Sequence, residues 1–296
     1  MNSKYLGQEI TRLRKNLSMT QKQLCEGICT QPTISMIEKG DIIPRIDILI
    51  LISSKLNKPF NYFIDFLLIN DYEYIHKFVN DIEEFTLEQQ FNYVYQIVSN
   101  ELANPKYKTN EWFNVFLRWQ LYLSSYYLGK LHIKKAISQI KKLYYNTPSN
   151  ILHRKFLGNR IINTLAFLYA LKKDFKKSLF YFNKINFNIS NMSSTRLTQE
   201  IYYLRILYNK TKTLFDMGNY QEALAHCKKG INLSLDMENM SNIGNFYFYL
   251  GECYEKLNYP IENIVDSYKN ALYFFKLLQR NNYIEILLKE KGNFIS

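Results

Sequence analysis

The chain has 296 residues, 47% of them apolar, with 20 Phe and 25 Tyr. That composition excludes a disordered chain and allows two domains. Ten Gly and six Pro are few for this length, and sheets and turns need both, so the chain reads as all-α with short connections. The formal charge is +12; residues 1–70 hold nine Lys/Arg and six Asp/Glu, and the remainder holds 29 and 20. A basic balance suits a polyanionic partner, although most of the surplus lies beyond residue 70.

The first helix is predicted from Lys4 to Asn16, with Leu6, Ile10, Leu13 and Leu17 on its apolar face. Residues 20–40 then read as two short helices joined by a tight turn, packed through Leu24, Ile28, Ile34 and Ile37. Thr20 and Thr30 stand where N-caps belong, with a side-chain oxygen for the orphan amides of each first turn. Pro32 falls in a first turn, where a missing N–H costs little. Gly40 sits where a helix ends in a left-handed residue. This is a helix-turn-helix.

A fourth helix is expected from Pro44–Asp47, carrying Ile48, Leu49, Ile52 and Leu56, and a fifth from Pro59, carrying Phe60, Phe63, Ile64 and Leu67. These five helices form a Cro/repressor-like module over residues 1–66. A linker helix over 67–80 follows, helical in pattern from Asn70 to Asn80.

The remainder, 81–296, repeats. Phe91, Ile133, Phe175, Tyr220 and Tyr259 mark turns separated by 42, 42, 45 and 39 residues. Each is followed by an amphipathic pattern, and Leu250-Gly251-Glu-Cys-Tyr254 is close to the tetratricopeptide L-G-x-x-Y element. About five degenerate tetratricopeptide helix pairs are expected, stacked in a right-handed superhelix with a concave groove.

No phosphate-binding glycine loop, H-E-x-x-H or G-x-S-x-G motif is present. His76, His132, His153 and His226 stand apart from any such setting. Cys25 and Cys29 lie one helical turn apart but lack a second ligand pair, and with Cys227 and Cys253 they read as structural. The chain is therefore not expected to be an enzyme, and no metal or cofactor is expected. No signal peptide or membrane span is visible, and so few cysteines suit a reducing cytoplasm.

The N-terminal part of a recognition helix points at base edges in the major groove. Gln31, Thr33, Ser35 and Met36 are the candidates there: a glutamine amide pairs bidentately with adenine, and Thr or Met packs on a thymine methyl. Gln21, Lys22, Lys39 and Arg45 are placed for phosphate. In the repeats, Asn163, Asn209 and Asn245 lie 12, 11 and 14 residues before their turn aromatics, on about the same face of three successive first helices. A side-chain amide offers a donor and an acceptor, matching the N–H and C=O of an extended peptide.

Leu6-Gly7-Gln-Glu-Ile10, Leu17-Ser-Met-Thr-Gln-Lys-Gln-Leu24 and Ile34-Ser35-x-Ile37-Glu38-x-Gly40 match many phage-type repressors. Phe116-Leu-Arg-Trp119-Gln120, Tyr208-Asn209-Lys-Thr-Lys212 and Gly251-Glu252-Cys253 narrow the match. With them the chain resembles the PlcR-type quorum-sensing transcription regulators of the Rap, Rgg, NprR, PlcR and PrgX superfamily. The resemblance implies a cytoplasmic homodimer on a palindromic double-stranded DNA site. It also implies a short signalling peptide, secreted and re-imported, that binds the repeat groove. Asn163 and Asn209 fall where the family's asparagines hold the peptide backbone, and Asn245 and Tyr283 fall on further groove positions. Tyr122 joins them by repeat geometry alone. Pro32, Thr33 and Met36 depart from the usual polar choices of the recognition helix. The alternative is a phage-type repressor whose repeats serve only dimerisation or a protein partner.

Overall fold

A computed structural model describes residues 3–68, 72–103, 110–185 and 196–295. Among them are seventeen α-helices and no strand, as the scarcity of Gly and Pro implies. The chain divides into two compact units, Met1–Ser124 and Ser125–Ser296.

In the first unit, α1 (Ser3–Asn16), α2 (Gln21–Cys25), α3 (Gln31–Lys39), α4 (Ile46–Lys55) and α5 (Phe60–Leu68) enclose one core. Leu6, Ile10, Leu13, Leu24, Ile34, Ile37, Leu49, Ile52, Leu56, Phe63 and Leu67 are buried there, and Ile28, Ile48, Phe60 and Ile64 pack against them. Leu17 is an exception to the predicted apolar face. It is exposed, because α1 stops at Asn16 and Ser18 turns the chain away at φ 55°. The caps fall where expected: Thr20 and Gln23 form a reciprocal capping box on α2, which satisfies two orphan donors at once. Gly40 ends α3 at φ 79°, and a Cβ there would lie 2.4 Å from the Lys4 Cα, so only glycine fits. After α5, α6 (Tyr72–Leu87) and α7 (Phe91–Ala103) pair. The expected start of the linker helix at Asn70 lies outside the described residues.

After α8 (Glu111–Tyr127) comes α9 (Ile133–Asn146), and from α11 (Leu157–Leu171) onward the helices pair: α11 with α12 (Phe175–Asn183), α13 (Arg196–Asp216) with α14 (Tyr220–Asp236), and α15 (Ile243–Lys256) with α16 (Ile261–Leu277). α10 (Ser149–His153) and a 3-10 turn lie between α9 and α11, and α17 (Asn281–Ile295) closes the chain. Within the second unit α9 packs on α11, each helix from α10 to α17 packs on the next, and α11, α13 and α15 also pack on one another in turn. This is the nearest-neighbour stacking of a repeat array.

Four of the five predicted turn residues open a helix: Phe91, Ile133, Phe175 and Tyr220 are the first residues of α7, α9, α12 and α14. Tyr259 stands just before α16 and packs on Tyr254 at 4.6 Å. The spacings exceed the 34-residue tetratricopeptide period for visible reasons, namely the inserted α10 and the 21-residue α13. Gly251 acts as the repeat motif requires: a Cβ there would lie 2.7 Å from the Tyr268 ring. α17 is tied down by Lys291, which pairs with Glu252 and Glu255 and lies 5.2 Å from the Tyr268 ring centre.

Candidate functional site

In the helix-turn-helix, α2 and α3 are joined by a chain of four polar side chains. Arg14 of α1 donates through Nε and Nη2 to both carboxylate oxygens of Glu38, at 2.6 and 2.9 Å. Its remaining nitrogen reaches the Met19 carbonyl at 2.8 Å. The Gln21 amide donates to the same Glu38 at 2.8 Å, and the Gln31 amide donates to the Gln21 oxygen at 2.7 Å. Burial pushes the Glu38 carboxyl up, but the hydrogen bonds from Arg14 and Gln21 outweigh it and hold the group below its ordinary value. Buried charges are tolerated only when paired in this way.

Gln31, Lys22, Lys39 and Arg45 are exposed, and Met36 stands 41% exposed on α3. Ser35 and Thr33 are half-buried. The Thr33 hydroxyl lies 2.8 Å from that of Thr30 and is engaged in the helix cap. Gln21 is half-buried by its two hydrogen bonds. Arg45 lies 3.3 Å from Asp47, an exposed pair that contributes little. Sequence reasoning missed Arg14 and Glu38. A signal existed, because Glu38 follows Ile34 and Ile37 at helical spacing and so shares their buried face.

In the second unit, two of the three predicted asparagines meet. Asn163 of α11 accepts a hydrogen bond from Asn209 of α13 at 3.1 Å. Asn245 of α15 lies close to the Tyr208 hydroxyl, next in the chain to Asn209. Tyr208 packs against Phe246 and Tyr249 at 6.3 and 5.9 Å, and burial pushes both phenols well above their ordinary value. Tyr283 of α17 stacks on Phe275 at 5.2 Å and stands within electrostatic reach of Tyr127 and Tyr208. Tyr122 is half-buried on α8, before the division at Ser124, and does not belong to the unit that carries the asparagines.

The row is flanked by one charged pair: Lys212 lies 2.9 Å from Asp216 and 5.7 Å from the Tyr249 ring centre. Asn209, Lys212 and Asp216 are spaced three and four residues apart, a pattern that places them on one face. That spacing is the signal by which the pair could have been found. Cys25, Cys227 and Cys253 are buried, and burial first, then the neighbouring Cys25, pushes up the Cys29 thiol. Among the described residues no group of three or more His, Cys, Asp or Glu could hold a metal ion. No described helix is long and apolar enough to cross a membrane.

Comparison with known proteins agrees with both halves of this arrangement. A helix-turn-helix family model matches residues 10–63, and the model of the RNPP family C-terminal domain matches residues 79–296. The chain belongs to the RNPP family. Among RNPP structures, that of Bacillus thuringiensis PlcR in complex with the peptide PapR7 and DNA is 32% identical, with a TM-score of 0.81, over 96% of this chain and 99% of that one. The apo form of the same protein is 30% identical, with a TM-score of 0.67, over 97% and 98%. Regulatory protein RapD of Bacillus subtilis (strain 168) is 30% identical over 115 residues, which span 39% of this chain and 31% of RapD.

Proposed function

We infer that the chain is a DNA-binding transcription regulator controlled by a short re-imported signalling peptide, acting in quorum sensing in the cytoplasm. The observation that carries this reading is the Asn163–Asn209 hydrogen bond. Two amides from successive repeat units meet side by side, and each is suited to exchange its partner for a peptide N–H or C=O. Similarity to PlcR over nearly the full length, with a peptide and DNA bound to that protein, supports both the input and the output.

In this reading residues 1–66 bind DNA, 67–80 link, and 81–296 bind the peptide and dimerise. Gln31, Thr33, Ser35 and Met36 face bases; Gln21, Lys22, Lys39 and Arg45 face phosphate. Asn163, Asn209, Asn245 and Tyr283 hold the peptide, and Tyr122 joins them by repeat geometry alone. Two copies bind a palindromic site. The exposed Ile46 and Ile50, one turn apart on α4, support pairing, because large apolar side chains in a row favour a covering partner.

The test is a gel-shift of the full chain on its own promoter, with and without synthetic peptides from any small secreted product encoded beside it. A peptide from that product should change the DNA affinity. An affinity indifferent to every such peptide would overturn the peptide control and leave a repressor whose repeats serve another partner.

A further inference from the structure

The positive charge of this chain is concentrated in one stretch. Residues 125–199 hold 14 Lys/Arg and a single carboxylate, Asp174, net +13, which exceeds the +12 of the entire chain. Residues 200–296 hold eleven of each sign. Asp174 is itself engaged: it caps α12 and lies 2.9 Å from Lys177.

The lysines are on two neighbouring helices. Lys134, Lys135, Lys141 and Lys142 of α9 are exposed, opposite the buried Ala136, Ile137 and Ile140. Lys176 and Lys184 continue the exposed stripe along and just beyond α12, opposite the buried Ser178, Tyr181 and Phe182. Lys184 joins the two helices. Its Nζ donates to the Tyr145 hydroxyl at 3.3 Å and lies 4.7 Å from the exposed Phe180 ring centre. The asparagine row is on α11, α13 and α15, so these charges belong to the second helices of their units and not to the asparagine-bearing first helices.

We propose that the α9–α12 face is a second DNA-binding surface, which holds the phosphate backbone of duplex DNA independently of its sequence. Neither helix carries an arginine or a carboxylate. Protein interfaces are depleted in lysine and enriched in arginine, whereas a lysine ammonium is a point charge suited to phosphate in any sequence. An anionic membrane would draw on apolar side chains free to insert, but the two large exposed rings of this face, Tyr145 and Phe180, both hold Lys184. This inference rests on the reading that the chain works on DNA, which also keeps duplex close to the surface.

The experiment measures binding of the full chain to a long duplex of random sequence at several salt concentrations. The variant is K134Q/K135Q/K141Q/K176Q, all at exposed positions. The control is K229Q/K256Q/K269Q/K276Q, which removes the same charge from the balanced stretch. The slope of log affinity against log salt should fall by about 0.9 for each lysine that contacts phosphate, and the control should keep the wild-type slope. Equal slopes for the two variants would overturn the surface and leave the helix-turn-helix reading intact. Loss of phosphatidylserine-vesicle binding with an unchanged DNA slope would also overturn it, in favour of a lipid. Absence of any DNA binding by the wild-type chain would sink both readings together.

Discussion

Gln31 donates its side-chain amide to the oxygen of Gln21 at 2.7 Å, and Gln21 is itself held by the buried Glu38. The residue at the tip of α3 is thus fixed from behind before any base arrives. A preset side chain loses less rotamer freedom on binding, and its second amide hydrogen and its oxygen remain for a base edge.

Replacing Gln31 with Ala should relax sequence discrimination at one base pair by about 1–3 kcal/mol. Gln21→Ala should do the same more weakly, because Gln31 keeps its functional groups and loses only its hold. Lys22→Ala should instead weaken all duplexes alike and lower the salt slope by about 0.9. Competition binding against single-base variants of the site separates the three patterns.

Asn163→Ala and Asn209→Ala should each strand a peptide amide and cost about 1–3 kcal/mol, roughly a 5- to 150-fold loss of peptide affinity. Because the two side chains bond each other, the double variant should fall short of the sum of the singles. Calorimetry with the peptide that alters DNA binding reads both effects. Strict additivity would show that the amides act apart.

The Arg14–Glu38 pair is nearly buried, with side chains 10% and 6% exposed. Removing one partner leaves a buried charge, so Arg14→Leu should destabilise the helix-turn-helix by about 3–5 kcal/mol. Hydrogen exchange at α1 and α3 amides reports this without relying on a single unfolding midpoint for two units. Glu38 is held below its ordinary value, so the pair stabilises the fold at neutral pH. That contribution disappears as pH falls through the depressed value and the carboxylate takes up a proton. Glu38→Gln should remove this part of the acid sensitivity.

Gly251→Ala should press a methyl onto the Tyr268 ring, whose nearest atom would lie at 2.7 Å. Tyr268 is also held by Glu252 and by Lys291 above its ring, so it has little room to yield. The expected cost is about 1–3 kcal/mol, visible as a lower urea midpoint for the second unit. An unchanged midpoint would mean that α16 shifts freely.

Local rules were enough for much of the fold. Helical periodicity identified the core of the first five helices, the hydroxyls of Thr20 and Thr30 marked where α2 and α3 begin, and Gly40, with no side chain, marked where α3 ends. The turn residues Phe91, Ile133, Phe175 and Tyr220 open their helices because amphipathic spacing and capping act within a few residues. Leu17 failed because its apolar side chain fits the α1 pattern while the helix has already ended. Whether a position one residue past a helix is covered depends on the chain's exit direction.

An all-helical chain, a helix-turn-helix with Gln31 at the head of its second helix, and a run of paired helices are all legible in the order of the residues. These follow from periods of a few residues, and they are written wherever the residues stand. Packing in three dimensions is what brings Glu38 to Arg14 and Gln21, and Asn163 to Asn209 across 46 residues. It alone joined the lysines of α9 and α12 through Lys184. Those contacts depend on how helices distant in the chain are brought to within 3 Å or so. A sequence records which groups could bond, whereas packing decides which of them meet.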